Sequence, residues 1–259
     1  MISTHQHLAD TATAEGLPPD TTVTRMPLAD GGVFELAAVA LPAFAAADHD
    51  AGITELVARA ESWAAAATPG GDPPLVVPLY GTHVVWSPRR AAVLGTADRL
   101  PALRAAVVDF ADREAELRDV ERRIADGLEQ VEADAPLAFA FDEQAVPRRR
   151  ELAGRFADTV AVRRRLVTLA PVLQRPGPQP PTLAGQVGER LRDRTRVLER
   201  LEHAGEQADL LERVYTGCGD RAADYATSRR HATLEWGIIL LLAAEVVLIT
   251  VDLLASHAP

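Results

Sequence analysis

An apolar run near the end of the chain constrains its fold more than any other feature. From Leu234 to Ala255 the sequence offers about 20 mostly aliphatic residues, the length that a helix needs to cross a hydrocarbon core. The run also contains two acidic residues, Glu245 in its middle and Asp252 seven positions later. The sequence therefore predicts either a transmembrane helix or an unusually apolar helix in the core of a soluble protein.

The residues beside this run favour the membrane. Trp236 stands where an interfacial aromatic ring is expected, and Arg229 and Arg230 lie just before the run. The tail SHAP contains no Arg or Lys, so the positive-inside rule places everything before the helix on the cytoplasmic side. We expect a C-terminal, single-pass anchor in the cell inner membrane, with the N-terminal domain in the cytoplasm.

The two acidic residues are costly in a bilayer. A charged group at mid-bilayer costs about 2.5 to 3.5 kcal/mol, whereas each Leu, Ile, Val or Phe contributes about −0.3 to −0.6 kcal/mol. Asp252 lies near the end of the run, but Glu245 must be protonated or face a partner helix. Their spacing puts both on one face, which predicts a self-associating anchor. In an alternative, the middle helices fold back and shield both acids in a soluble monomer.

The rest of the chain predicts an α+β fold, with a small N-terminal α/β domain, long helices in a coiled-coil-like hairpin and a C-terminal hydrophobic helix. Beyond Asp98, apolar residues recur at spacings of three and four, as in long amphipathic helices. Before it, a helical stretch at 52–67 stands among four β-like runs at 33–41, 74–80, 83–87 and 91–95. The predicted segments are a flexible arm (1–20), the α/β domain (21–98), a helical region (99–175), a Pro-rich connector (176–182), a long amphipathic helix (183–230) and the membrane helix (231–256).

Two glycines interrupt the pattern of the long amphipathic helix. Gly217 and Gly219 lie in the segment TGCGD, and each costs a helix interior about 1 kcal/mol relative to Ala. A break or kink is expected there on propensity alone, and the sequence leaves open whether it occurs.

Charge and composition narrow the partners. All 27 basic residues are Arg, and the formal net charge of −10 argues against nucleic acid. The RRR triplets at 148–150 and 163–165 could contact anionic lipid or RNA, or could form the solvated face of a helix. The predicted partners are membrane lipid and further copies of the same chain.

The sequence contains no common signature of a catalytic, cofactor-binding or metal site. Glycine-rich nucleotide loops and the zinc-protease and hydrolase signatures are not found. HQH at 5–7, DHD at 48–50, His83 and His203 lack metal-ligand spacing, and Cys218 is interpreted as a small packed residue. We therefore predict a non-enzymatic protein without cofactor. The alternative is a soluble enzyme or ligand-binding protein with its site in the N-terminal α/β domain.

Leu234, Glu235 and Trp236, followed by an aliphatic run and by Glu245 nine positions after the Trp, resemble the C-terminal signature of the required-for-meiotic-nuclear-division family. The resemblance implies a membrane-associated protein with no known catalytic residues. Mitochondrial members of the family lie at the inner membrane and support mitochondrial protein synthesis. The resemblance implies that a member of this family acts by tethering. Gly237 replaces a bulky aliphatic residue of the family, so the chain resembles a divergent, bacterial-type member.

The predicted function is a membrane-anchored scaffold or tether that oligomerises through its coiled-coil and membrane helices. A rival hypothesis is an oligomeric membrane effector or channel, in which rings of Glu245 and Asp252 line an aqueous path. The residues predicted to contact lipid or neighbouring copies are Arg229, Arg230, Leu234, Glu235, Trp236, Glu245 and Asp252.

Overall fold

A computed structural model describes residues 15–42, 49–175 and 181–256. The elements in chain order are β1 (Thr22–Pro27), β2 (Val33–Leu41), α1 (His49–Ala65), β3 (Leu75–Leu79), β4 (Thr82–Trp86), β5 (Arg90–Thr96), α2 (Leu100–Asp134), two 3₁₀ helices (Ala135–Ala138 and Glu143–Arg148), α3 (Arg149–Leu173), α4 (Leu183–Arg194) and α5 (Val197–Ser256). The predicted α+β class is confirmed, since a small mixed sheet is followed by long helices and a long apolar helix.

The chain divides into two compact units. The first unit consists of Met1–Ile124 and Val162–Glu206, and the second of Ala125–Ala161 and Gln207–Pro259. The helices α2, α3 and α5 each contribute residues to both units.

The first unit contains a five-stranded sheet in the order β1-β2-β5-β4-β3. β2 and β5 run parallel, and the other neighbouring pairs are antiparallel. A two-residue turn joins β3 to β4, and its residues Tyr80 and Gly81 have φ values of 47° and 72°. Positive φ at both positions is the pattern of a type I′ turn, which matches the twist of the two strands.

Helices cover both faces of this sheet. On one face, Ala60 and Trp63 of α1 belong to a buried cluster with residues of the strands. On the other, the ring of Trp86 lies 5.4 Å from that of Phe34 and 4.8 Å, edge-on, from that of Phe110 in α2. A sheet buried on both sides explains why its neighbouring strands β2 and β5 are nearly continuous apolar runs rather than alternating ones.

The residues predicted as one long helix at 183–230 form α4 and the first part of α5. Thr195 ends α4 with its hydroxyl donating to the Leu191 carbonyl, and Arg196 follows in the left-handed region with φ of 51°. A left-handed residue ends a helix because the next residue can no longer continue its hydrogen-bonding pattern.

By contrast, α5 runs unbroken through Gly217 and Gly219, so the break expected from propensity does not occur. Gly217 has a packing role, because a Cβ there would lie 3.1 Å from the Cβ of Ala138. The missing side chain lets the first 3₁₀ helix lie close to α5 in the second unit. Tertiary packing of this kind outweighs a local propensity of about 1 kcal/mol.

Several sequence features lie outside the described residues. These are the arm up to residue 14, which includes HQH, and residue 48 of DHD, together with residues 176–180 of the Pro-rich connector.

Candidate membrane-anchoring site

The apolar part of α5 begins at Leu234. None of its described side chains is buried, and the large aliphatic ones are 52–73% exposed. An 18-residue window of the helix has a mean hydropathy of 2.1. Within the described ranges, α5 is the one helix that is long and apolar enough to cross a membrane.

Side-chain exposure separates the two interpretations of the apolar run. A core helix of a soluble protein buries its large side chains, and soluble monomers rarely expose contiguous apolar patches larger than a few hundred Å². Here no described residue covers the run, and Glu245 is exposed with it. The middle helices therefore do not shield this carboxylate, and the segment is compatible with a membrane anchor.

All seven predicted contact residues lie on α5, but they do not share one face of the helix, and Arg229 and Arg230 also line a cavity in the second unit. Trp236 is 66% exposed and lies six residues, nearly two turns, beyond Arg230. Asp252 lies in the helix, past the last residue whose side chain is described. The other described members of the set are also exposed: Arg229, Arg230, Leu234, Glu235 and Glu245.

The side chain of Glu245 makes no hydrogen bond or ion pair with any described residue. Nine large aliphatic side chains between Ile238 and Ile249 surround it along the helix. In hydrocarbon these side chains, at about −0.3 to −0.6 kcal/mol each, offset the cost of one carboxylate but give it no partner. Asp252, seven residues on, lies within about 20° of the same helix direction.

The helix surface just before the apolar part is in contact with the 3₁₀ region of the second unit. Arg229 Nη2 donates to Glu143 Oε1 at 3.1 Å, and the rings of Phe141 and Tyr225 lie 5.9 Å apart. Both members of the ion pair are mostly exposed, so it contributes at most about 1 kcal/mol. These contacts bring the second 3₁₀ helix beside the start of the apolar part of α5.

A buried acidic residue that the sequence analysis missed fixes this region to α5. The carboxylate of Asp134, at the end of α2, is fully buried and pairs with Arg148 and Arg155. Its backbone carbonyl accepts a hydrogen bond from the Cys218 thiol at 3.6 Å. Burial, reinforced by the Asp134 charge, raises the pKa of the Cys218 thiol, which suits a packed residue better than a nucleophile.

The two Arg triplets are not uniform solvated faces. Arg148 pairs with Asp134, and Arg165 pairs with the buried Asp119 in the first unit. Burial opposes ionisation of Asp119, but hydrogen bonds and charges from Arg165 and Arg123 outweigh it and lower its pKa. Arg149, in contrast, is exposed and makes no hydrogen bond or ion pair with the described residues.

The N-terminal domain offers one cavity to the alternative of a ligand-binding protein. It measures about 480 Å³, and its lining includes Arg25, Glu35, Trp63 and Arg90. Glu35 accepts hydrogen bonds from Arg25 at 2.8 Å and Arg90 at 2.7 Å, and the Arg90 guanidinium stacks on the Trp63 ring at 4.8 Å. These guanidinium groups are thus already engaged by one carboxylate.

The histidines whose side chains the structure describes do not form a metal site. His203 is exposed, with Nδ1 3.9 Å from Glu206, and burial lowers the pKa of His83 on β4. In the part of the chain that the structure describes, no group of three His, Cys, Asp or Glu residues is placed to hold a metal ion.

No protein-family model matches the chain, and no curated protein matches it.

Proposed function

We propose that this protein is a membrane-anchored scaffold or tether without enzymatic activity, held in the membrane by the helix that begins at Leu234. The observation that carries the proposal is the exposure of this apolar segment. Its large aliphatic side chains are more than half exposed, and no described residue covers them. Lipid is the solvent in which such a surface is stable.

Orientation follows from the residues before the segment. Arg229 and Arg230 precede Leu234 by a few residues, and Trp236 follows at the level of an interfacial ring. We place the part of the chain that precedes this segment on the cytoplasmic side of the inner membrane. Membership of the required-for-meiotic-nuclear-division family is part of the proposal and is supported by Leu234, Glu235, Trp236 and Glu245.

A non-enzymatic role is supported by the use that the chain makes of its buried acids. Glu114, Asp119 and Asp134 are each at most 3% exposed, and each is in an ion pair with at least one Arg. Each of these ion pairs joins two helices within one unit. Such pairs are typical of structural networks rather than of groups poised for proton transfer.

Self-association completes the proposal. The intramembrane Glu245 has no partner in its own chain among the described residues, and Asp252 lies on the same helix face. A second copy would supply a hydrogen-bonding partner, in the manner of polar residues that join membrane helices. The same arrangement favours a second candidate function, a channel in which rings of these acids line water. Single-channel conductance that disappears in Glu245→Leu would favour the channel.

Alkaline carbonate extraction of membranes tests the anchor. The full chain is expected in the pellet, and a chain carrying Leu241→Arg and Leu248→Arg is expected in the supernatant. Each Arg adds about 2.5 to 3.5 kcal/mol to the cost of insertion at mid-bilayer.

The control carries Val160→Arg and Val167→Arg, which change exposed residues of α3 outside the apolar segment. This control should remain in the pellet. If the unaltered full chain is released by carbonate, the anchor is wrong, and the cavity of the N-terminal domain becomes the place to look for function.

A further inference from the structure

A cationic cavity lies at the point where α5 approaches the proposed membrane. It measures about 350 Å³, within the range of about 300–1,000 Å³ typical of small-molecule sites. Three Arg residues, Arg149, Arg229 and Arg230, line it, together with the rings of Phe141 and Tyr225. All these residues belong to the second unit.

The cavity carries positive charge that the protein does not neutralise. The side chains of Arg149 and Arg230 make no hydrogen bond or ion pair with the described residues, and the Arg229 side chain gives one hydrogen bond to Glu143. One carboxylate thus faces three guanidinium groups, in a chain whose net charge is −10. Guanidinium groups present planar sets of N–H donors that match the oxygens of a phosphate.

The position of the cavity along α5 matches the expected level of the lipid headgroups in the membrane. Arg229 and Arg230 precede Leu234 by five and four residues, which is about 6 to 7.5 Å at 1.5 Å per residue. The headgroup layer extends about 5 to 7.5 Å beyond each side of the hydrocarbon core. If the hydrocarbon begins at Leu234, the guanidinium groups therefore lie at the level of the phosphates.

We infer that this cavity binds the phosphate of an anionic phospholipid from the cytoplasmic leaflet, an inference that rests on the proposed membrane anchor. The Arg149, Arg229 and Arg230 side chains hold the phosphate, and the rings of Phe141 and Tyr225 form an apolar wall beside the lipid glycerol. α5 and the start of α3 each supply part of the site. The bound lipid joins the 3₁₀ region of the second unit to the membrane surface.

Native mass spectrometry of the full chain in non-ionic detergent tests this site. Phosphatidylglycerol is added to the unaltered chain, to an Arg149→Gln/Arg229→Gln/Arg230→Gln variant, and to a matched control. The control, Arg164→Gln/Arg190→Gln/Arg194→Gln, removes the same charge from exposed positions on α3 and α4. Phosphatidylcholine and inorganic phosphate are the comparison ligands.

The unaltered chain should retain one phosphatidylglycerol in preference to phosphatidylcholine, and excess phosphate should not displace it. Affinity should fall on the order of a hundredfold in the site variant, from about one kcal/mol for each of three basic residues and about 1.4 kcal/mol per tenfold, and should not change in the control. Equal losses in both variants, equal binding of phosphatidylcholine, or displacement by phosphate would overturn the inference. Carbonate extraction of the same proteins separates the two proposals. If the unaltered chain stays in the pellet but shows no preference among the lipids, the lipid site is refuted and the membrane anchor is not.

Discussion

Arg200 on α5 forms a two-pronged hydrogen bond with Glu121 on α2. Its Nε donates to Oε1 at 2.9 Å, and its Nη2 donates to Oε2 at 2.6 Å. The remaining Nη1 donates to Glu114 at 2.9 Å, so one guanidinium joins two carboxylates in the first unit. Burial opposes the charge of Arg200, but the two glutamates outweigh it and raise its pKa.

Replacing Arg200 should destabilise the first unit. We expect Arg200→Met to lower the free energy of unfolding by about 2–4 kcal/mol, because it leaves the buried Glu114 with only Arg118 as a partner. Urea unfolding of the full chain in detergent, followed by the fluorescence of Trp63 and Trp86, measures it. Arg196→Met is the control. The Arg196 side chain is 75% exposed and lies 3.9 Å from the Glu199 carboxylate, so this change should lower the free energy of unfolding by less than about 0.5 kcal/mol. Equal losses in both variants would refute a special role for Arg200.

Tyr215 should make stability depend on alkaline pH. Burial, with the nearby charge of Asp134, raises the pKa of Tyr215 from its usual value of 10.0 to about 12. The unfolded chain therefore loses this proton first, so the contribution is full below pH 10 and is lost as pH rises towards 12. The difference in absorbance at 295 nm between the unaltered chain and Tyr215→Phe reports the titration. A midpoint near pH 10 would contradict the prediction, and the absence of Lys leaves this window clear of amine titration.

The two glycines of α5 should respond differently to alanine. Gly219→Ala meets no atom within 4 Å, so it should stabilise the protein by about 0.5–1 kcal/mol through helix propensity. Gly217→Ala would place a Cβ 3.1 Å from Ala138, so it should gain less or destabilise the second unit. Thermal unfolding followed by circular dichroism in detergent compares the two. The packing explanation is wrong if Gly217→Ala proves the more stabilising change.

Self-association should depend on Glu245. Glu245→Leu removes the carboxylate that a second copy would partner, so the dissociation constant should rise about tenfold, given about 0.6–2 kcal/mol per intramembrane polar contact. Energy transfer between differently labelled copies in membranes measures it. Glu235→Leu removes a carboxylate about ten residues earlier on another face of the helix, and it should have little effect. Unchanged energy transfer in Glu245→Leu would refute association through this residue.

Opposite ends of the apolar segment should be accessible from opposite sides of the membrane. In a Cys218→Ala background, a cysteine introduced by Ser256→Cys should react with an impermeant maleimide added outside bacterial spheroplasts. A cysteine introduced by Ser228→Cys, at an exposed position before the segment, should react only after the membrane is opened. The reverse pattern would invert the orientation, and equal labelling of both would contradict a single span.

Much of the fold could be predicted because local patterns decide it. The long apolar runs of β2 and β5 and the three- and four-residue spacings after Asp98 each specify an element without reference to distant residues. The apolar end of α5 can also be predicted from the sequence alone. The exposure of that end, on which the proposed anchor depends, required the structure.

What the sequence could not give depends on residues far apart in the chain. Asp134 is one acid among many until Arg148 and Arg155 are found around its buried carboxylate. Arg149 belongs to a triplet that suggests a solvated face, and only the cavity beside Arg229 distinguishes it from its neighbours. Gly217 opposes a helix by propensity, and the close approach of Ala138, which leaves no room for a side chain there, is visible only in the structure.

The absence of a break in α5 also fixes an angular relation between the lipid site and the self-association face. At about 100° per residue, Tyr225 and Arg229 point about 160° away from Glu245, on nearly the opposite side of the helix axis. Copies that meet through Glu245 would therefore leave Tyr225 and Arg229 facing outward to the surrounding lipid, whereas Arg230, about 60° from Glu245, would lie nearer the partner copy. α5 continues without a break between Thr233 and Leu234. A rotation of its apolar segment about the helix axis would therefore turn Tyr225 and Arg229 by the same angle.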